Sequence, residues 1–422
     1  MKNLLIICYL LGALYVQAGE SQGLKLEEAY DMAIRNYPLT KQKDLIARTA
    51  GLNLENIASV YLPQVSLNAQ ATYQSDVTRF PKQISIPGVE ISALSRDQYR
   101  AMLDVNQLIY DGGNASTQRL LAQQQQKVDE QRIEVSYQQL RERINDIWFS
   151  VLFADEQLQQ IALTQKDLMA VMAKVESQVN YGTAFRSALA TLKAEQLKNE
   201  QRAIDLKYNR RALIRVLSVF LGQDLSPDVK LERPAMVTVD TTAIRRPDLE
   251  LLNRQIQLNE VAARYLNVRK VPKVSLFAQG GYGKPGLNML LNEFDFFYLG
   301  GVRFSWNLSG FYNQGRDKQL NELNRQTLLV QQEQVMFQVK ADLLKNDAEM
   351  EKYRELDKTD EEIIALRQQV KQASAAQLEQ GVITSSDYVR EVNAEEQARL
   401  SQALHRLQLL QAVIHQKTLI GQ

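Results

Sequence analysis

The stretch Val65-Ser66-Leu67-Asn68-Ala69-Gln70-Ala71-Thr72-Tyr73 alternates apolar and polar side chains without a break. Successive side chains of a β-strand point to opposite faces, so this stretch predicts a strand with one apolar and one polar face. Three further stretches alternate in a similar way around Tyr99, Val274 and Tyr298. The sequence therefore predicts two pairs of strands, 62–76 with 98–110 and 272–283 with 296–308.

Each predicted strand has about the ten residues that a tilted strand needs to cross a bilayer, with apolar side chains for lipid and polar ones for water. Aromatic residues near the strand ends fit the girdle that membrane barrels place at the lipid–water interface. They are Tyr73, Phe80, Phe294, Phe296, Phe297, Tyr298 and Trp306. The alternative is a half-buried hairpin of a soluble protein, which the export signal described below disfavours.

Long helices are predicted after the strands. Asn114–Asn180 and Thr183–Leu221 contain neither Gly nor Pro, and the first would be about 100 Å long at 1.5 Å per residue. From Leu140 to Val179 apolar residues recur at alternating steps of four and three, the spacing of a coiled coil. Gly182 allows a sharp turn between the two helices. A helical rod would explain these helices, but it would not explain the strands.

The chain contains this plan twice. The intervals Pro38–Pro63 and Pro247–Pro272 are both 25 residues, and Gly113–Gly182 and Tyr312–Gly381 are both 69 residues. Repeats of this length indicate duplicated half-domains rather than solenoid units. The sequence thus predicts an internal tandem repeat, with the first copy at 19–222, a linker at 223–245 and the second copy at 246–422. Each copy has a helix, a strand pair and a helical hairpin, with the hairpin tips near 181–183 and 380–382.

Residues 1–18 have the pattern of a secretory signal peptide, with Lys2, an apolar run and a small residue at the cleavage site. A membrane anchor is the alternative, but the run is too short to span a bilayer. The one cysteine, Cys8, lies inside this signal, which excludes disulfides and thiol chemistry from the mature chain. Loss of Lys2 would leave 49 basic and 49 acidic side chains. Such a balance gives no electrostatic reason to expect nucleic acid as a partner.

Four strands are too few to close a barrel, because about eight are needed even when side chains fill the interior. In lipid, an open sheet edge leaves backbone N–H and C=O groups without partners, at several kcal/mol each. The exported chain is therefore expected to pair its edges with copies of itself. Two copies would give a filled eight-stranded barrel, and three would leave room for a pore. The polar faces would then line water, which indicates a passage rather than a catalyst.

Short segments in both halves resemble the TolC-like outer-membrane efflux proteins of Gram-negative bacteria. They are Leu26-Glu27-Glu28-Ala29, Asn36-Tyr37-Pro38, Leu62-Pro63, Tyr110-Asp111-Gly112-Gly113, Arg246-Pro247-Asp248-Leu249 and Leu419-Ile420-Gly421. The resemblance implies a mixed α and β membrane protein: a homotrimer with a 12-stranded transmembrane β-barrel in outer-membrane lipid, continuous with a periplasmic α-helical coiled-coil barrel. It also implies the passive exit duct of a tripartite efflux or type I secretion system, with a periplasmic adaptor and an inner-membrane pump as partners.

The resemblance assigns residues to two sites. The adaptor would meet the hairpin tips Tyr181-Gly182-Thr183 and Gln380-Gly381-Val382. Acidic rings that narrow the periplasmic end in some members correspond to Asp387 and Arg390, with Glu391 adjacent, so only Asp387 matches. Three Asp387 carboxylates around an axis would attract cations, unless Arg390 pairs with Asp387 or Glu391 and neutralises the ring. An acid in the first turn of a helix, favoured by the helix dipole, explains Asp387 equally well.

Two other classes of protein have less support. A periplasmic coiled-coil adaptor or scaffold without a pore would carry helical hairpins, but usually one, and not two strand pairs of this alternation. An enzyme has the least support. His405 and His415 lie on one helix but about 80° out of alignment, so they make a poor metal-binding pair. The glycine-rich segment at 280–284 is predicted at a strand end and loop, not before a helix. No cofactor or metal is predicted, and the cargo and the class of pump stay open.

Overall fold

The computed structural model describes residues 23–78 and 94–421. The predicted signal peptide and Phe80 lie outside these residues. The chain divides into two compact units. The helical unit contains the residues up to Tyr37, Tyr137–Ile244 and the residues from Ala341 onward, and the sheet unit contains Pro38–Ser136 and Arg245–Lys340.

The described residues form seven α-helices and four strands. The helices are α1 (Leu26–Asn36), α2 (Thr40–Ala58), α3 (Asn114–Asn180), α4 (Arg186–Leu221), α5 (Pro247–Val268), α6 (Gln314–Glu379) and α7 (Ser385–Leu419). The strands are β1 (Gln64–Tyr73), β2 (Asp97–Tyr110), β3 (Lys273–Lys284) and β4 (Asp295–Ser305). Mixed α and β structure with one four-stranded sheet agrees with the sequence prediction. Among the described residues, no helix combines the length and the apolar character needed to cross a bilayer.

The four strands form one antiparallel sheet in the order β1-β2-β3-β4. Its register pairs apolar residues with apolar residues across neighbouring strands, as in Leu67 with Leu103 and Leu276 with Val302. A bulge between Leu108 and Tyr110 shifts the register at the end of β2. β1 and β4 are the edge strands, and no described strand pairs with their outer sides.

Several boundaries differ from the sequence prediction, beginning with β1, which spans Gln64–Tyr73 instead of 62–76. β4 ends at Ser305 instead of 308, because the Asn307 side chain accepts a hydrogen bond from Ser309 N at 3.1 Å and starts the 3₁₀ turn Leu308–Phe311. The second hairpin helix begins at Arg186 instead of Thr183, because the Thr183 N–H still donates to a carbonyl of α3 at 2.8 Å. The glycine-rich segment Gly280–Lys284, predicted at a strand end and loop, lies entirely within the last part of β3.

The core of the helical unit lies where α1, α3, α4 and α7 meet. Its largest fully buried side chains include Trp148 and Phe149 of α3, and Leu217 of α4 packs in the same cluster. The predicted coiled-coil positions of α3, among them Leu140, Ile144 and Val151, face this core. Trp148 Nε1 donates a hydrogen bond to the backbone oxygen of Glu232 at 3.2 Å, which attaches the linker between the two halves to the core.

Asn36, the last residue of α1, and Gly222, the residue after α4, fit against each other in the helical unit. The Asn36 side-chain amide donates to the carbonyl oxygens of Val219 and Phe220 at 3.1 and 3.2 Å, at the end of α4. Gly222 follows with a φ of 69°, and a Cβ there would lie 2.4 Å from the Asn36 side chain. The carbonyl groups at the end of α4 thus find donors because glycine leaves room for the asparagine.

We predict that Leu217→Ala strongly lowers the free energy of unfolding of the helical unit, whereas Leu197→Ala in the same helix does not. Leu217 has 0% exposure and Leu197 has 64%. A Leu→Ala change in a core costs about 2–5 kcal/mol, and an exposed one changes stability by roughly 0.5 kcal/mol or less. Urea unfolding followed by circular dichroism measures both, and equal shifts of the two midpoints would contradict the described core.

Candidate functional site

One face of the sheet carries no charge between its ends. Its residues come from alternate positions of all four strands, and many of its large side chains are exposed. They are Val65, Leu67, Ala69, Ala71, Tyr99, Ala101, Leu103, Val105, Val274, Leu276, Ala278, Gly280, Tyr282, Phe296, Tyr298, Gly300, Val302 and Phe304. A contiguous apolar patch of this kind marks contact with lipid or protein.

Aromatic side chains lie at both ends of this apolar face. At one end Tyr282 contacts Phe294 and Phe296, with ring centroids 5.5 and 4.6 Å apart. At the other end Trp306 packs on Phe311 at 6.4 Å and donates from Nε1 to Lys270 O at 2.8 Å. Lys273, which pairs with Ser305 beside Trp306, and Tyr282 are nine residues apart along β3, about 30 Å, which is roughly 21–25 Å across a bilayer at the 35–45° tilt of barrel strands. This length is close to the apolar band of outer-membrane barrels, which aromatic girdles flank.

Phe297 does not belong to the aromatic girdle that the sequence predicted. It precedes Tyr298 by one residue, so its side chain lies on the opposite, polar face. There it stands across from Gly281, and a Cβ on that glycine would lie 2.7 Å from the Phe297 ring. The ring fills the space that the glycine leaves.

The polar face combines hydrogen-bonded acids and amides with arginines stacked on aromatic rings. Both oxygens of the Asp104 carboxylate accept hydrogen bonds, one from Asn68 Nδ2 at 2.7 Å and the other from the Gln279 side chain. Arg100 lies over the Phe297 ring, with its Cζ 5.6 Å from the centroid. A face of this composition suits contact with water, whereas the opposite face does not.

The two hairpin turns have the same backbone geometry. In the first, Gly182 N donates to Val179 O at 3.1 Å and Thr183 N to Gln178 O at 2.8 Å; in the second, the corresponding bonds from Gly381 and Val382 are 3.0 and 2.8 Å. These are the paired bonds of a Schellman helix end, which needs a left-handed residue. Gly182 and Gly381 provide it, with φ of 74° and 72°.

The two turns lie side by side and expose apolar side chains. Lys174 Nζ is 3.0 Å from Glu379 Oε2, and Gln178 Nε2 donates to Glu379 O at 2.9 Å, which joins α3 to the end of α6. The exposed fractions are 83% for Tyr181, 85% for Phe185 and 71% for Val382. Phe185 was not among the residues that the sequence analysis selected, although it is the apolar residue directly before α4. Gly182, Thr183, Gln380 and Gly381 form the turns themselves.

Asp387, Arg390 and Glu391 lie together in the first turns of α7. Thr384 Oγ1 accepts from Asp387 N at 3.2 Å and Asp387 Oδ2 accepts from Thr384 N at 3.2 Å, a reciprocal capping box. Arg390 contacts Asp387 at 3.3 Å and Glu391 at 3.5 Å. The hydrogen bonds from Thr384, and then the charge of Arg390, hold the pKa of Asp387 below its usual value. The capping role of Asp387 and its pairing with Arg390 are therefore both present.

A partly buried ion cluster that the sequence did not reveal joins three helices behind the turns. Lys371 Nζ of α6 lies 2.7 Å from Asp167 of α3 and 2.8 Å from Glu395 of α7. Arg399 adds a second cation, 2.5 Å from Glu395. Burial alone would lower the pKa of Lys371, but the two carboxylates outweigh it and raise the pKa. The heptad pattern gave no signal for this cluster because its members come from three separate helices.

Within residues 23–78 and 94–421, no group of three or more His, Cys, Asp or Glu side chains is arranged to hold a metal ion. His405, one of the two histidines that the sequence analysis considered, lies with its Nδ1 2.6 Å from Asp360 Oδ2. Asp360 belongs to α6, and the Tyr353 ring of the same helix lies 6.2 Å from the His405 ring.

We predict that Gly381→Ala lowers the stability of the second turn by about 1 kcal/mol, because the left-handed backbone conformation is unfavourable for alanine. Gly51→Ala is the control: Gly51 lies inside α2 with no atom within 4 Å of an added Cβ, and this change should stabilise its helix by roughly 0.5–1 kcal/mol. Amide hydrogen exchange at Val382 and around residue 51 measures the two effects. Unchanged protection of Val382 in Gly381→Ala would be inconsistent with the turn described.

No protein-family model and no curated protein sequence matches the chain, but solved structures do. The outer-membrane protein VceC from Vibrio cholerae matches with a TM-score of 0.66 at 13% identity, over 94% of this chain and 96% of that one. The CmeC outer membrane channel from Campylobacter jejuni gives 0.65 at 13% identity over 94% and 85%. The MtrE outer membrane channel from Neisseria gonorrhoeae gives 0.65 at 13% over 94% and 88%. The chain thus has the fold of these outer-membrane channels, which confirms at the level of the fold its resemblance to the TolC-like proteins.

Proposed function

We propose that this chain is the outer-membrane channel of an export system and that it acts as a homotrimer. Four strands from each copy would complete a 12-stranded barrel, whose polar faces line a water-filled pore. The observation that carries this proposal is the sheet itself: it has an exposed, uncharged face between two aromatic ends, and no described strand pairs with its two outer edges. The likeness to outer-membrane channels supports the same conclusion.

The edges of the sheet are suited to pair with each other between copies. β1 has ten residues and β4 has eleven, so neither edge would overhang the other by much. Because the sheet has an even number of antiparallel strands, β4 of one copy meets β1 of the next in the antiparallel sense. Alternation of the two faces then continues without a break around the ring.

Exposed apolar stripes on two helices of the sheet unit support assembly as well. On α6, Leu323, Val330 and Phe337 are exposed and seven residues apart. On α2, Leu45 and Leu52 are exposed with the same spacing. Seven-residue apolar spacing is the seam of a coiled coil, so we assign these stripes to contacts between neighbouring copies. The long helices would then form the periplasmic part of the conduit.

The exposed hairpin turns are the proposed contact with a periplasmic adaptor. Tyr181, Phe185 and Val382 offer apolar side chains at two adjacent turns, and exposed aromatic side chains are typical anchors of protein interfaces. The sequence carries no catalytic motif, so we propose that conduction is passive and that an inner-membrane pump supplies the energy.

We also attribute the two similar halves to duplication. Each half has a strand pair followed by two long helices, of 67 and 36 residues in the first half and of 66 and 35 in the second.

A periplasmic coiled-coil adaptor remains the alternative class. It would account for the helices and their turns. It would not account for an uncharged, aromatic-flanked face on one side of the sheet and charged residues on the other, because a soluble sheet packs its apolar face on a core.

We predict that Phe337→Asp prevents assembly of the trimer, because it places a charge within the proposed seam. Gln331→Asp is the matched control, since it adds the same charge at an exposed polar position of the same helix. Native mass spectrometry of the protein in detergent distinguishes a single chain from three. Trimers of both variants would contradict the role assigned to the stripe, and a monomeric wild type would contradict the channel.

At the proposed constriction, we predict that Asp387→Ala reduces the cation preference of the pore or raises its conductance, and that Arg390→Gln increases the cation preference. Arg390 now lies beside both Asp387 and Glu391, so its loss removes the cation beside Asp387, whereas Glu391 keeps Arg367 at 3.4 Å. Reversal potentials in a KCl gradient measure the preference. Thr384→Ala removes the capping partner of Asp387 without removing a charge. This variant therefore tests the capping role of Asp387 separately from the effect of its charge.

The same constriction has a predicted pH dependence. A carboxyl group whose pKa is lowered stays charged above its folded pKa, so the contribution of Asp387 should persist below the pH of about 4 where ordinary aspartates titrate. Identical reversal potentials for wild type, Asp387→Ala and Arg390→Gln would rule out a constriction at this position.

A further inference from the structure

We propose that the polar face of the sheet binds organic anions that carry a flat apolar group, such as aromatic sulfonates and carboxylates. Two arginine–phenylalanine pairs, Arg100 with Phe297 and Arg303 with Phe277, are the binding elements. The inference rests on the proposed function, because this face lines a pore only if copies of the chain close the barrel. It adds a class of solute that the barrel part of the pore binds.

The first pair depends on a glycine that no other residue could replace. Gly281 stands across from Phe297 in the β3–β4 register. A Cβ at Gly281 would lie 2.6 Å from the Ala101 carbonyl oxygen, 2.7 Å from the Phe297 ring and 2.9 Å from Met102 Cβ. The Phe297 ring therefore occupies a place that exists only above glycine, and the guanidinium of Arg100 lies over it at 5.6 Å.

The second pair repeats this arrangement with the strands exchanged. Phe277 of β3 stands across from Gly301 of β4, where a Cβ would lie 3.2 Å from the ring. Arg303 stacks over Phe277 with its Cζ 4.7 Å from the ring centroid. Both rings thus have glycine on the partner strand opposite them and an arginine above. Aromatic rings set against strand glycines are a recognised way to fix strand register.

The two guanidinium groups are available to a ligand. Within the part of the chain that the structure describes, neither Arg100 nor Arg303 lies within salt-bridge distance of a carboxylate. Asp104, the acid between them on this face, is hydrogen-bonded by Asn68 and Gln279 through its two oxygens. Lys273 adds a positive charge to the face and Asp295 a negative one at the strand end. The face therefore keeps one positive charge in excess, repeated in each copy.

The arginine–phenylalanine pairs favour an organic anion over a small anion without a ring and over an aromatic molecule without the negative charge. A guanidinium stacked on a ring holds its N–H donors in one plane, which matches a carboxylate or sulfonate in two parallel hydrogen bonds. The adjacent phenyl ring offers an apolar surface to the flat part of the solute. A small inorganic anion gains only the first contact, and a cation is repelled. Phe277 and Phe297 lie four residues apart along the sheet, about 13 Å, so each copy provides two successive weak sites, as conduction requires.

The test uses purified protein in planar bilayers, with 1-naphthalenesulfonate as the probe. We expect it to block the current reversibly at lower concentration than methanesulfonate, which has the same charge and no ring. 1-Naphthylmethylammonium, which has the ring and the opposite charge, should not block. In the double variant Arg100→Gln with Arg303→Gln, the half-blocking concentration of the sulfonate should rise about tenfold.

Two further variants separate charge from stacking. Arg100→Lys with Arg303→Lys should keep the reversal potential in a KCl gradient but weaken the block, because lysine lacks the planar fork. Phe277→Leu with Phe297→Leu should keep both arginines and also weaken the block. Open pores in each variant show that it has folded.

The possible failures are distinguishable. A wild-type protein that forms no pores overturns the proposed function and this inference with it. Pores that conduct but show the same block in wild type and in Arg100→Gln with Arg303→Gln overturn the inference alone. Equal potency of methanesulfonate and 1-naphthalenesulfonate overturns the role assigned to the phenyl rings.

Discussion

The backbone hydrogen-bonding groups along the outer edges of β1 and β4 constrain everything else in this protein. In the described structure these edges have no strand partner, while one whole face of the sheet is apolar and exposed. Water would satisfy the edges but not the face, and lipid would satisfy the face but not the edges, at several kcal/mol for each unpaired group. Pairing of edges between copies satisfies both. An even strand number and edges of similar length make that pairing geometrically simple.

The two faces of the sheet then have separate roles, and their chemistry differs accordingly. The apolar face has no charge between its aromatic ends, whereas the polar face concentrates arginine, aspartate and amide side chains. Glycine matters on the polar face for its absence of a side chain: Gly281 and Gly301 leave space for Phe297 and Phe277. The rings in turn hold Arg100 and Arg303. In the first turns of α7, by contrast, Arg390 lies between two acids, so positive charge there balances negative charge.

The sequence predicted the elements whose signal is local. Period-two alternation predicted the sheet, and the absence of Gly and Pro predicted α3, which extends from Asn114 to Asn180 as expected. Features that depend on a distant partner were missed. Period-two alternation alone separates Phe297 from Tyr298, so its place in the girdle was an error of the sequence prediction, whereas its partner Gly281 is known only once β3 and β4 are in register. The end of β4 and the start of α4 were misplaced because hydrogen bonds accepted by Asn307 and donated by Thr183 decide them. The Lys371 cluster was missed because it forms only when α3, α6 and α7 pack together.

Disulfide trapping between the edge strands tests the central claim most directly. Chains with Cys8 replaced by serine would carry one cysteine on β1, starting with Ala69→Cys, and one on β4, scanned from Tyr298 to Phe304. A disulfide forms only when the two Cβ atoms are about 3.5–4.5 Å apart, so one register should react. The account predicts oxidised products of two and three chains and none longer. No intermolecular product at any register, or a ladder that continues beyond three chains, would contradict a closed ring of three copies.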